Sequence, residues 1–244
     1  MIQFRDVHLR LKGRPVLRGF DLKPAPGQLS LLAGSNGVGK SSALKVAAGL
    51  WRPGSGSVVV NGEDLHARKR KGPIPVAYLP QSPNFHPRLR VRNLLLFYAR
   101  IEGGDQETAE NVLERFGLQA HADYRSAELS GGLRQRLGLA VLALSPARVW
   151  LIDEPGLSLD PYWRNRLQSW LRELCAQGRT ILVATHLLAE WEGRADACYL
   201  CENGRIADQL DPDALRSACL RVESFGSAEH ATDRTSENRR SKAG

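Results

Sequence analysis

The sequence lacks any apolar stretch near the ~18–20 residues that a membrane-spanning helix needs. Residues 137–144 are apolar in character but stop far short of that length. A secretory signal is missing too, because Met1-Ile2-Gln3-Phe4-Arg5-Asp6 opens directly in a strand-like pattern. The expectation is a cytoplasmic protein, with any membrane role falling to a partner. No internal repeat is visible. Cysteine is sparse, at four residues: Cys175, Cys198, Cys201 and Cys219. Cys198 and Cys201 form a C-x-x-C, a spacing used in metal binding and redox chemistry. No second pair stands nearby to complete a four-ligand site. Ala197-Cys198-Tyr199-Leu200-Cys201 reads as a strand, on which residues three apart point to opposite faces. The two thiols are expected to diverge as buried cytosolic cysteines.

The formal net charge of +8 raises nucleic acid as a partner. The basic residues are scattered, however, and the one short run, Arg68-Lys69-Arg70-Lys71, has no aromatic residues interleaved. Such runs are usually solvated loops, so no nucleic acid is expected. A basic surface equally suits the anionic inner leaflet of a membrane.

What is present is an ordinary globular composition, 42% hydrophobic and 25% charged over 244 residues. That length suits one large domain, or a core domain carrying an inserted lobe. Residues 2–32 alternate in a strand-rich way, with turn signals at Gly13-Arg14-Pro15 and Pro24-Ala25-Pro26-Gly27. Residues 29–33 suit a buried strand feeding a glycine-rich loop, and residues 42–50 have high helix propensity. Asn61-Gly62 after Val58-Val59-Val60 signals a tight turn. Short apolar runs recur at 76–79, 149–152 and 181–184. Between about 93 and 143 the pattern is mostly helical, with breaks at Gly103-Gly104 and Ser130-Gly131-Gly132. Strands alternating with helices, plus this helical middle, imply an α/β fold: a mostly parallel core with a helical lobe inserted at about 84–145. The domain is expected to span residues 1–218. Residues 219–244 are expected to be a disordered tail, since large apolar residues almost vanish there.

Gly34-Ser35-Asn36-Gly37-Val38-Gly39-Lys40-Ser41 fits G-x-x-x-x-G-K-[ST] without a mismatch. The glycines let successive backbone N–H groups turn inward around phosphate oxygens, where a Cβ would intrude. Lys40 places a cation against the β- and γ-phosphates, and the Ser41 hydroxyl can ligate Mg²⁺. The helix that follows, from Ser42, presents the positive end of its dipole to the same anion. A phosphate loop also needs an acidic partner for its metal. Val149-Trp150-Leu151-Ile152-Asp153-Glu154 supplies one: a buried parallel strand delivering two carboxylates at its C-terminal end, where α/β sheets bind ligands. Asp153 can hold Mg²⁺ through water. Glu154, pointing the other way, can polarise the attacking water.

Leu129-Ser130-Gly131-Gly132-Leu133-Arg134-Gln135-Arg136 resembles the signature L-S-G-G-x-x-x-R of ATP-binding-cassette (ABC) ATPases. Gln81, in Tyr78-Leu79-Pro80-Gln81, resembles the Q-loop glutamine of that family. Ser158-Leu159-Asp160 resembles its D-loop, and Thr185-His186 its switch histidine. The motifs stand in the family's order over about residues 1–210. The resemblance implies a P-loop NTPase of RecA-like form, with an antiparallel β portion beside the parallel core. It implies that Gln81 contacts Mg²⁺ and the attacking water, and that His186 holds the γ-phosphate and orients Glu154. It implies further that Ser130, Gly131 and Gly132 cap the γ-phosphate of an ATP held by another cassette, so that two copies placed head to tail complete two sites. Physically, Ser130-Gly131-Gly132 opens a helix whose apolar face runs through Leu133, Leu137, Ala140 or Val141, and Leu144, and whose free N–H groups make a second anion site. One position departs from the pattern. The family stacks adenine on an aromatic ring that here aligns with Leu11, which offers apolar contact without π stacking.

The function expected is an ATP-hydrolysing transporter subunit that dimerises and works with a multi-span permease, peripheral on the cytoplasmic face of the inner membrane. The alternative is a soluble ABC ATPase acting on nucleic acid or the ribosome. Such proteins carry paired cassettes, long coiled coils or zinc insertions, and none appears in this sequence. A kinase or GTPase with the same phosphate loop would leave Ser130-Gly131-Gly132 and His186 without a purpose. Within transporters, residues 94–103 resemble the segment of exporter-type and cofactor-maturation cassettes, and residues 185–193 with the run Leu-Arg-Gln-Arg-Leu-Gly-Leu resemble, more narrowly, the ATPase serving copper-site assembly in nitrous oxide reductase.

Overall fold

The structure, a computed structural model, describes residues 1–67, 72 and 74–210. The basic run at 68–71, Cys219, the expected domain end at 218 and the tail at 219–244 lie outside the described residues. Strands β1 (Ile2–Leu11) and β2 (Arg14–Leu22) form a hairpin. β3 (Leu29–Ala33) then runs through the glycine-rich loop into α1 (Lys40–Ala47). β4 (Ser55–Val60) and β5 (Glu63–Asp64) form a second hairpin, and β6 (Val76–Leu79) leads to helices α2 (Val91–Ile101), α3 (Gln106–Arg115) and α4 (Gly131–Ala143). β7 (Val149–Asp153), α5 (Pro161–Ala176), β8 (Thr180–Thr185), β9 (Ala197–Glu202) and β10 (Arg205–Leu210) complete the order.

The strands make two sheets. One is antiparallel, in the order β2-β1-β4-β5. The other runs β10-β9-β3-β8-β7-β6 and is parallel except for β10. The parallel strands bury both faces, which is why they read as continuous apolar runs. Their alternation divides the core in two. Leu31, Trp150, Ile152 and Val183 pack toward α2–α5. Leu32, Leu151, Leu182 and Ala184 pack toward α1 and the antiparallel sheet, whose Ile2, Phe4 and Phe20 are buried there. Cys198 joins the first core and Cys201 the second, so the two thiols lie on opposite faces of the sheet.

The turns follow residue chemistry. Asn61 (φ 53°) and Gly62 (φ 89°) make the β4–β5 turn, a pairing that suits the twist of antiparallel strands. The first hairpin turns at Lys12 and Gly13, both at positive φ, one residue earlier than Gly13-Arg14-Pro15 suggests. Arg14 and Pro15 already belong to β2, and the outer strand of a sheet tolerates a proline. Helix α4 also differs from a one-faced helix. Gln135, Gly138, Leu139 and Leu142 are buried along with Leu137 and Ala140, because α4 is packed from several sides. A Cβ on Gly138 would lie 2.6 Å from Pro83 Cγ and 2.8 Å from Leu79 Cδ1, so the helix backbone lies directly on the segment around Gln81.

Candidate active site

The site begins at the C-terminal end of β3, where the chain leaves the sheet and α1 starts at Lys40, two residues before the propensity pattern suggests. Gly39 caps that helix at φ 110°, a conformation L side chains rarely adopt. A Cβ there would also sit 3.0 Å from Leu17 Cδ2 and 3.1 Å from the Val16 carbonyl. Lys40 is buried, and its Nζ donates to the carbonyls of Gly34 (2.7 Å) and Ser35 (2.9 Å). Burial holds its ammonium below the usual lysine range, with Glu154, Cys201 and Asp153 opposing that shift.

β7 delivers the acids. Asp153 is buried, and its Oδ1 accepts a hydrogen bond of 3.0 Å from Ser41 Oγ. Burial raises the Asp153 carboxyl above the usual range, against the Ser41 hydrogen bond and the attraction of Lys45 and Lys40. Burial, and then the Asp153 carboxylate, push the neighbouring Tyr78 phenol up as well. Glu154 leaves the strand at φ 47° while its N–H donates 2.9 Å to the Ala184 carbonyl. Positive φ on a non-glycine residue costs of order 1–3 kcal/mol and concentrates at functional sites. Here it turns the Glu154 carboxylate to meet His186, with 2.9 Å between Glu154 Oε1 and His186 Nδ1. Sequence spacing carries no signal for that strained turn, nor for Tyr78.

Asn36, Gly37, Gly39, Lys40, Ser41, Ser42, Gln81 and Glu154 line one cavity of about 340 Å³. Asp153 joins it through Ser41, and His186 through Glu154. Gly34 and Ser35 hold the lysine from behind, and Val38 packs on the core beneath. Other expected site residues stand elsewhere. Leu11 is half-buried at the end of β1 against the second core. Asp160 caps α5 by accepting from the Trp163 N–H at 2.9 Å. Ser130 is exposed and caps α4, its Oγ accepting from the Leu133 N–H at 3.3 Å. Ser130, Gly131 and Gly132 take no part in lining the cavity. A Cβ on Gly132 would lie 2.8 Å from the Ser158 carbonyl, so the signature and the loop before α5 touch within the chain.

A helix N-terminus, a buried lysine, a serine hydroxyl and two buried carboxylates at the end of a parallel sheet define a phosphate-loop nucleotide hydrolase. Comparison with known proteins narrows that class. A family model described as ABC transporter matches residues 17–156. Nod factor export ATP-binding protein I of Burkholderia lata is 34% identical over 232 residues, covering 92% of this chain and 76% of the relative. Its counterpart in Burkholderia thailandensis is 36% identical over 232 residues, and that of Rhizobium etli 32% over 236. Among solved structures, the ATP-binding subunit of an ABC transporter superposes with a TM-score of 0.79 at 27% identity, covering 89% of this chain and 92% of that one. A nucleotide-free ATP-binding cassette superposes with a TM-score of 0.75 at 21% identity, covering 91% and 95%. The chain belongs to the ABC transporter family, as an ATPase subunit. Among the described residues, no helix is long and apolar enough to cross a membrane.

Proposed function

We propose that the chain is the motor of an export-type transporter, closing on a second copy when ATP binds and driving a multi-span permease subunit. The observation that carries this is the split between the two anion-binding helix ends. The phosphate loop shares one cavity with Gln81 and Glu154, while Ser130, Gly131 and Gly132 open α4 outside it. A second chain, placed head to tail, supplies its signature to this cavity and receives the same in return. In each composite site Lys40 and the loop N–H groups hold the phosphates. Leu11 gives the base an apolar contact, and Asp160 belongs to the loop facing the partner.

The donor set around Ser41 suits Mg²⁺: a hydroxyl and a buried carboxylate 3.0 Å apart, both hard oxygen ligands, with Gln81 on the same cavity. When bound there, Mg²⁺ neutralises phosphate charge. Glu154 orients water for attack on the γ-phosphorus as the bond to the bridging oxygen breaks, and His186 steadies Glu154 and the γ-phosphate. Gln81 reports the outcome to the helical lobe at about 84–145, because Pro83 rests on Gly138 of α4. A groove of about 370 Å³ between Tyr78, Phe85, Tyr98 and Val141 opens at that junction. It is where a permease segment would feel the lobe move, from the cytoplasmic face of the inner membrane. The resemblance of residues 185–193 and of the run Leu-Arg-Gln-Arg-Leu-Gly-Leu supports nitrous oxide reductase copper-site maturation as the narrower role, whereas the relatives above are named for Nod factor export. Copurification from the native host identifies the permease and decides between them; recovery of ribosome or nucleic acid instead contradicts the transporter reading. Glu154→Gln is expected to keep ATP binding, lose turnover and trap an ATP-dependent dimer. Normal hydrolysis by that variant would remove Glu154 from this role.

A further inference from the structure

Helix α5 turns Arg164, Gln168 and Arg172 onto the segment that follows His186. Their spacing of four places them in one row along the helix. Arg164 Nη1 pairs with Glu190 Oε1. Gln168 Nε2 donates to the Glu190 carbonyl at 2.6 Å. Arg172 Nη1 donates to the Arg194 carbonyl at 2.8 Å and faces Asp196 at 3.4 Å. Arg164 has a second commitment: its Nε donates 3.0 Å to the Leu159 carbonyl, in the loop that leaves Glu154. Gly156 of that loop fits closely too, since a Cβ there would lie 3.3 Å from Glu190 Oε2 and 3.5 Å from Arg164 Cδ.

Glu190 sits in the 3-10 turn Leu188–Trp191 just after His186, and Leu188 and Trp191 anchor that turn in the core. One guanidinium therefore ties the loop leaving Glu154 to the turn leaving His186. Those are the two segments that carry the ends of the 2.9 Å Glu154–His186 contact. The side chains of Arg164 and Glu190 are only 33% and 26% exposed, so the pair is partly shielded from water. Two donors on one rigid plane fix direction as well as charge, which a lysine cannot do.

The geometry points to Arg164 as a positioning residue for the Glu154–His186 pair, acting through Glu190 and the Leu159 carbonyl. This rests on the catalytic reading of Glu154 and His186 given above. A misplacement near 1 Å at a reacting centre can cost about 100-fold. The test is steady-state ATP hydrolysis by the full chain carrying Arg164→Lys, Glu190→Gln or both, with ATP binding and thermal midpoint measured in parallel. Each single variant is expected to lose about 10- to 100-fold in kcat. KM and ATP affinity stay within about twofold, and the double variant is no worse than the poorer single one because the pair acts as a unit. Turnover that stays within twofold overturns the proposal, as does a loss that only tracks the folded fraction. Glu154→Gln and His186→Ala serve as the reference. If they hydrolyse normally, the catalytic reading fails. If they are inactive while Arg164→Lys is not, only the positioning role fails.

Discussion

At the start of α1, Lys40 and Ser41 line one cavity that Asp153 joins through Ser41, with the lysine and the aspartate buried. At the start of α4, Ser130 and Gly131 are exposed, and the Ser130 hydroxyl is already engaged in capping Leu133. Both ends are glycine-rich and both present a helix dipole. The first gathers a buried lysine, a serine hydroxyl and a buried carboxylate; at the second the cation of the first turn, Arg134, donates back to the Leu129 carbonyl at 3.1 Å. A helix end alone binds an anion weakly, since the dipole contributes about 0.3–1 kcal/mol at an exposed position. On the proposed reading, the α4 end acts only on ATP already held by the phosphate loop of another chain.

Several substitutions would break or sharpen that contrast. The largest effect is expected from Lys40→Ala, which removes a buried cation and should weaken ATP binding on the order of 100-fold, as loss of charge-assisted phosphate contacts does; calorimetric titration with ATP checks it. Next comes Gly132→Ala, whose Cβ would press the Ser158 carbonyl at 2.8 Å. ATP binding by the single chain should be unchanged, while turnover falls about 10- to 100-fold because the signature is displaced. A matched pair follows in thermal unfolding. Gly39→Ala, forced to φ 110°, should cost about 1–3 kcal/mol. Gly131→Ala meets nothing closer than Ser158 Oγ at 3.7 Å and should be neutral or stabilise by up to about 1 kcal/mol. Equal losses at the two glycines would show that the two ends are not built differently. The smallest effect is at the base: Leu11→Tyr should lower KM for ATP about 2- to 10-fold, the scale of one aromatic stack at about 0.5–1.5 kcal/mol.

Much of this was legible in the residues. Strands at 29–33 and 76–79 stand where their apolar runs place them, because a strand buried on both faces has no polar residues to blur its ends. The phosphate loop and the two acids after residue 152 were visible because a glycine-rich loop ending in Lys-Ser and an apolar strand ending in two carboxylates are patterns of residue type. Other features were hidden. The positive φ of Glu154 leaves no residue-type signal, as no glycine or asparagine marks it. α4 looks one-faced from its periodicity, yet Gln135 and Gly138 are buried, Gly138 against Pro83 and Leu79 far back in the chain. The Arg164–Glu190 tie joins residues 26 apart through two loops, and nothing in local patterning connects them.

The composite-site account is tested most directly by mixing two disabled chains. Lys40→Ala spoils the phosphate loop and Gly132→Ala the signature, each in both sites of its own dimer. Mixed dimers pair one intact phosphate loop with one intact signature. ATP hydrolysis by the equimolar mixture should therefore rise well above the sum of the two variants measured apart. A mixture whose rate equals that sum at every concentration would contradict a site shared between two chains.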